Sequence, residues 1–332
     1  MGGSAQEILK NITNFFLQMK HLLKILPLIF LCLACSNDDE PMQEKTRNIG
    51  FSADVKQSRA IAAIADIQAG GFSVWGGFTG TQVFDARKVT YNSGAWVYDN
   101  PEVWTFNEYN FHAVYPAVDA AAYNAVIVAD DNQQLKITGF DTATGIDLLH
   151  ATELNVDGSA APLVGLNFKH TLTGVTIELA KHSNNAADAI NITQVYLLGM
   201  YTKGDYTWTP DAVYWTVDDT QDPSYTGSTF DKVALDTNYK EFLSDILLMP
   251  QPVDPEDNPV VLVVAYDFTI GGLGETIKDN VLISYLPESV KWEPNKHIKY
   301  RAIIEAQKNI TFATPIVESW GSEQVGGTII IK

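Results

Sequence analysis

The sequence predicts an all-β protein made of two β-sandwich domains. Three observations carry that expectation. Apolar and polar residues alternate with period two along many short runs. Turn-forming clusters of Gly, Asn, Asp and Ser interrupt those runs at short intervals. The strand–helix alternation that marks a parallel α/β sheet is absent. The chain has 332 residues, 46% of them apolar. It can therefore fill more than one ordinary core, and two domains of roughly 150 residues each are expected.

The strands are legible in order. Tyr109, Phe111, Ala113 and Tyr115 share one face of a run whose other face carries Asn110 and His112. Val175, Ile177 and Leu179 alternate with Thr176 and Glu178, and a further strong strand is expected over 192–198. Ile298, Tyr300, Ala302 and Ile304 alternate with Lys299, Arg301 and Ile303. Residues 260–266, VVLVVAY, are continuously apolar, as expected of a strand in a sandwich core. Turns are expected at Asn92-Ser93-Gly94, Asp157-Gly158, Lys203-Gly204-Asp205 and Gly271-Gly272. Three segments, 61–67, 117–125 and 239–246, read as short helical insertions. The polar stretch 181–189 sets the domain division near residue 185, giving an N-terminal sandwich over 46–185 and a C-terminal one over 186–332.

The N-terminus reads as an address. Residues 25–34, ILPLIFLCLA, are uncharged and apolar, and Lys20, His21 and Lys24 precede them. Ten residues are too few to span a bilayer as a helix, which takes about 20, and the layout is that of a signal peptide. Met19 opens that segment directly, so residues 1–18 are expected to be an upstream extension or a misplaced start. The ending LCLAC resembles the bacterial lipoprotein box, which implies cleavage between Ala34 and Cys35 and a lipid on Cys35, although Cys32 stands where the box usually has Leu. An ordinary cleaved signal with an unmodified Cys35 is the alternative. Cys32 and Cys35 are the only cysteines, so the body has no disulfide framework and no thiolate metal site. Residues 36–45 form an acidic tether that begins SNDDE. That tract resembles a surface-export signal of Bacteroidota lipoproteins.

Charge narrows the function. The chain carries 40 acidic and 22 basic side chains, a net charge of −18. A role on nucleic acid, which needs a basic face, is not expected. No GxSxG, HExxH, Walker A or GxGxxG pattern occurs, so the chain is not expected to be an enzyme or to hold a cofactor. Gly272-Leu273-Gly274 reads as a hairpin turn. The six histidines lack metal-ligand spacing, and His112 and His170 read as packing residues in strands. Asp218-Asp219 with Asp222, and Asp254 with Glu256-Asp257, read as solvated loop charge, with a Ca²⁺ loop as the alternative. The seven Trp, at 75, 96, 104, 208, 215, 292 and 320, read mainly as core, although exposed ones could form a sugar platform.

Several stretches together resemble the fimbrillin family of Bacteroidota, the subunits and tip adhesins of type V pili. They are IGFSADVKQSRA at 49–60, FSVWGGF at 72–78, WVYDNPEVWTFNEYNFHAVYP at 96–116, DLLHA at 147–151, LNFKHTLTGVTIEL at 166–179, LLMPQ at 247–251, WEPNKHIKY at 292–300 and ITFATPIVESWG at 310–321. The resemblance implies two tandem transthyretin-like β-sandwiches behind a lipoprotein signal peptide, at the outer membrane and cell surface. It implies assembly with other fimbrial subunits by β-strand addition, and a surface glycan or protein receptor. Cleavage would fall between Arg59 and Ala60, releasing the strand with Ile49, Phe51, Ala53 and Val55 inward. The alternative for Arg59 is an ordinary exposed loop residue. Arg47 is a poorer site, because it precedes the strand. Ile329, Ile330 and Ile331 belong either to a donated strand or to the last strand of the second sandwich. A monomeric surface lipoprotein that binds glycans is the competing function.

Overall fold

The computed structural model describes residues 47–55, 63–120, 123–127, 131–220, 222–254 and 256–320. Among them are twenty strands in four sheets and one short α-helix, α1 (Ile64–Gly70).

The first sheet runs in spatial order from β1 (Gly50–Val55) through β9 (Leu163–His170), β8 (Leu149–Asp157), β5 (Glu108–Tyr115), β2 (Phe72–Phe78) and β3 (Thr81–Asn92) to β4 (Ala95–Val97). Its inner face gathers Phe51, Phe72, Phe84, Phe111, Leu166 and Phe168 into one core. The sheet curls far enough that its two end strands, β1 and β4, come into contact.

A second sheet lies on its outer face: β13 (Val213–Val217), β12 (Lys203–Trp208), β7 (Leu135–Asp141) and β6 (Asn124–Ile127). Trp75 and Val114 of the first sheet meet Leu135, Ile137, Phe140 and Tyr206 of the second in a separate core. This explains why β5 is buried on both faces although its sequence alternates. His112 points into the second interface and is fully buried.

The other two sheets enclose a third core. One contains β15 (Lys240–Leu248), β10 (Thr173–Lys181), β18 (Lys296–Glu305) and β19 (Asn309–Phe312), and β20 (Ile316–Ser319) also pairs with β18. The other contains β14 (Ser224–Leu235), β11 (Ala189–Met200), β16 (Val261–Thr269) and β17 (Thr276–Tyr285). Val175, Ile177 and Leu179 face Val195, Leu262 and Val264 here, and Ile298, Tyr300, Ala302 and Ile304 complete the packing. The polar side of β10 is buried as well. Thr176 shares a hydrogen bond with His297, and Glu178 meets Arg301 at 2.8 Å and Lys299 at 3.1 Å. Residues 183–185 form a 3-10 turn between β10 and β11, which line the same core. The sheet of β13, β12, β7 and β6 draws strands from both sides of that turn.

The all-β class and the sandwich layering agree with the sequence reading, and the differences are local. Residues 240–246 lie in strand β15, not a helix. Register shifts against β10 at Val175/Ile177 and Ile177/Glu178 turn both Phe242 and Leu243 inward. Two adjacent buried residues break period two, which imitates a helical stripe. Among the described residues of 117–125, a 3-10 turn spans Val118–Ala120 and β6 begins at Asn124, where pairing with β7 overrides the Ala-rich propensity. The helix expected over 61–67 is α1, shifted to Ile64–Gly70. The Asp66 carboxylate accepts from the Ala63 N–H at 2.7 Å, which fixes its start. Lys203-Gly204-Asp205 opens strand β12 and is not a turn. A Cβ on Gly204 would meet the Thr216 carbonyl at 2.5 Å, so that glycine serves close strand approach. The run 260–266 supplies strand β16 of the third core, with Leu262, Val264 and Tyr266 buried and Val261, Val263 and Ala265 half-buried on its other face.

Candidate functional site

The first strand has an unusual seat. Ile49, Phe51 and Val55 are 1%, 4% and 7% exposed, and Ala53 packs partly buried against the same core. Alternation puts all four on one face. β1 runs parallel to β9, in register from Gly50 opposite Leu163 to Val55 opposite Phe168. Among the described residues it pairs with no other strand, and it stands at the end of the seven-stranded sheet. On its other side only the lead-in is held. Ile49 N–H donates to the Glu102 carbonyl at 2.8 Å, Trp104 N–H to the Arg47 carbonyl at 2.8 Å, and the Tyr98 hydroxyl to the Ile49 carbonyl at 2.8 Å.

Phe51 anchors the strand. Its ring lies 5.5 Å from Phe84, 5.7 Å from Tyr98 and 5.9 Å from Phe111, with the two phenylalanines edge to face. Burying the Ile49, Phe51 and Val55 side chains contributes roughly 6 kcal/mol in total, as an upper estimate. The strand therefore supplies part of the core, yet its backbone is attached by a single ladder. The elements that follow it in sequence, α1 and β2, do not pair with it. Its retention depends on the seat and on the connection through residues 56–63.

The removal of β1 would leave β9 as a free sheet edge. It would also uncover the rings of Phe84, Tyr98 and Phe111. The sequence marked Phe111 as a core-strand residue, and 96–116 and 166–179 carried the resemblance, but nothing in it assigned Phe84, Tyr98, Phe111, the 102–104 segment or β9 to a seat for the first strand. The stretch 96–104 has no alternation that marks it as a clamp, and a parallel partner more than 100 residues away leaves no local signal. Ala34, Cys35, Arg59, Ala60, Ile329, Ile330 and Ile331 lie outside the described residues. Arg47 is engaged: its guanidinium donates to the carbonyls of Gly158 at 2.7 Å and Ser159 at 2.6 Å and lies 5.3 Å from the Phe106 ring.

The histidines form buried pairs. His112 Nδ1 lies 3.0 Å from His150 Nε2, and His150 Nδ1 lies 3.1 Å from the Tyr206 hydroxyl. Burial pushes His112 down to about 4 and His150 well below its ordinary value, and it raises Tyr206. The His112–His150–Tyr206 hydrogen-bonded row is thus uncharged, with one proton shared across each contact. His170 Nδ1 bonds the Asp147 carboxylate at 2.8 Å, and its ring stacks on Trp320 at 4.3 Å. A cleft of about 360 Å³ lies beside these groups, lined in part by Lys169, Tyr206, Trp208 and Asn295. The acidic loops act as local caps: Asp218 accepts from Thr220 N–H and Asp254 from Glu256 N–H. Among the described residues no group of three or more His, Cys, Asp and Glu could hold a metal. Trp75, Trp104, Trp292 and Trp320 are buried, and Trp96, Trp208 and Trp215 are half-buried.

Comparison with known proteins follows this geometry. A family model described as fimbrillin-like matches residues 60–320. A fimbrial protein from Bacteroides vulgatus is similar in structure, with a TM-score of 0.60 at 16% identity, covering 82% of this chain and 99% of that one. A cell-adhesion candidate from Parabacteroides distasonis gives a TM-score of 0.51 at 11% identity, covering 83% and 98%. At these identities the likeness concerns the fold. No curated protein matches the chain.

Proposed function

The chain belongs to the fimbrillin-like family, and from that premise we propose that it is a fimbrial subunit at the cell surface that assembles with other subunits by strand exchange. The observation that carries this reading is β1 itself: core-filling side chains on an edge strand held by one ladder. The steps are as follows. Cys35 receives lipid after cleavage behind Ala34, and the chain reaches the outer surface as two tandem sandwiches. Cutting between Arg59 and Ala60 severs the only covalent link that holds β1 to the body downstream. The strand leaves with the lipid, because both lie upstream of the cut. A strand from a neighbouring copy, with Ile329, Ile330 and Ile331 as the candidate donors, then pairs with β9 and fills the pocket of Phe51.

The competing glycan-binding reading has less support. A sugar platform uses open indole faces, and none of the seven Trp is exposed. The test is treatment of the purified precursor with an Arg-specific protease, followed by unheated SDS gels and mass spectrometry. Cutting after Arg59 with SDS-resistant ladders is the expected outcome, and Arg59→Lys should prevent both. A chain that is cut yet remains monomeric, with residues 49–55 still bound, would refute a polymerising role.

A further inference from the structure

The sheet of β14, β11, β16 and β17 turns one face to the third core and the other outward. Register places Tyr225, Leu198, Val261 and Tyr285 in one row across the outward face. The next row is Gly227, Tyr196, Val263 and Ile283. No residue of either row is charged, on a chain of net charge −18. Tyr225 is 70% exposed, Ile283 68%, Tyr285 57% and Leu198 39%. Beyond Ala265, on the same strand, the surface becomes ionic, where Asp267 pairs with Lys232 at 3.1 Å.

These side chains leave roughly 500 Å² of contiguous apolar surface open, near the upper limit for a monomer. A standard interface buries about 800 Å² per partner. The patch with its immediate rim therefore reaches the size of a weak, reversible association.

We propose that this face docks against the same face of a second copy of the chain. A net charge of −18 makes two copies repel one another, and the two uncharged rows of this face add nothing to that repulsion. A sheet packs well on an identical sheet, since equal twists align at about 30°. Val261, Val263 and Ile283, aliphatic and β-branched, match such packing better than they match a polyol, which needs converging hydrogen-bonding groups. The contact is isologous, so it joins copies in pairs. It is independent of strand exchange and needs no cut at Arg59.

The test is sedimentation velocity of the uncut full chain from about 1 to about 100 µM. The wild-type coefficient should rise with concentration. Ile283→Lys and Tyr225→Lys should each hold it at the monomer value, while Val126→Lys, on an exposed position of β6, should not. Unchanged thermal melting of the variants shows that they fold. All the proteins share residues 1–46, so a difference between them reads the face alone. A wild type that stays monomeric throughout, or a dimer indifferent to both face variants, overturns the proposal. So does a monomer whose Ile283-dependent binding is to a polysaccharide or to lipid vesicles. Failure of the SDS-resistant ladder would leave this pairing intact, and loss of this pairing would leave the ladder intact.

Discussion

Two strands, β1 and β18, each lie in a parallel pair and each bury a row of side chains. β18 runs parallel to β10, and β19 and β20 pair with its other side. Its Ile298, Tyr300, Ala302 and Ile304 are fully buried. β1 buries Ile49, Phe51 and Val55 almost as completely, yet among the described residues it has β9 alone as a strand partner. Side-chain burial does not separate the two. Backbone pairing does: β18 can leave only by breaking ladders on both sides, whereas β1 gives up one ladder and a few bonds at its lead-in. A strand can therefore fill a core and yet be attached along one side only, when the sheet ends with it, which is what the proposed exchange requires.

The contrast can be broken or sharpened by substitution, beginning with the largest effect. Tyr300→Ala empties a fully buried site and removes the acceptor of the Trp292 indole N–H at 3.0 Å. It should cost about 4 kcal/mol and lower the urea midpoint of the whole body. Phe51→Ala should cost about 3 kcal/mol. Here the loss should be local: hydrogen exchange should quicken in β1 and β9 while β10 and β18 keep their protection. If β18 loosened equally, the distinction between the strands would fail.

Acid should act next, and on the sheet that holds β1. His112 titrates at about 4 in the fold and near 6.5 when unfolded. Between those values the unfolded chain binds more protons, so stability is full above 6.5 and falls as pH drops toward 4. The loss from His112 alone should be roughly 2 kcal/mol by pH 5. His112→Gln should flatten that part of the urea-midpoint profile between pH 7.5 and 5. Arg47→Ala should have the smallest effect, about 1 kcal/mol, through its bonds to Gly158 and Ser159. After a cut at Arg59 it should hasten release of the first strand, measured by mass spectrometry over time.

Much of this was legible in the sequence. Alternation at 109–115, 175–179 and 298–304 located core strands, because period-two burial leaves a direct mark, whereas the strand in IGFSADV was expected from the family resemblance. The helix expected at 239–246 failed because bulges displace the alternation. The second layer over His112 was hidden, since a polar residue on one face of a strand is the same whether water or another sheet covers it. The seat was only half legible. Phe51 stands in an alternating strand, but its pocket comes from Phe84, Tyr98 and Phe111, and its ladder from β9, all brought together by long-range pairing. VVLVVAY marked β16 as a sandwich strand, but a run apolar on both faces does not show which face is covered.

The central claim is that one place beside β9 is occupied first by β1 and then by a strand of another copy. Hydrogen exchange of the Leu163–Phe168 amides measures that occupancy directly. Protection should be present in the precursor, lost in the freshly cut monomer, and regained in the SDS-resistant assembly. Protection that survives the cut, or an assembly in which these amides stay open, would contradict it.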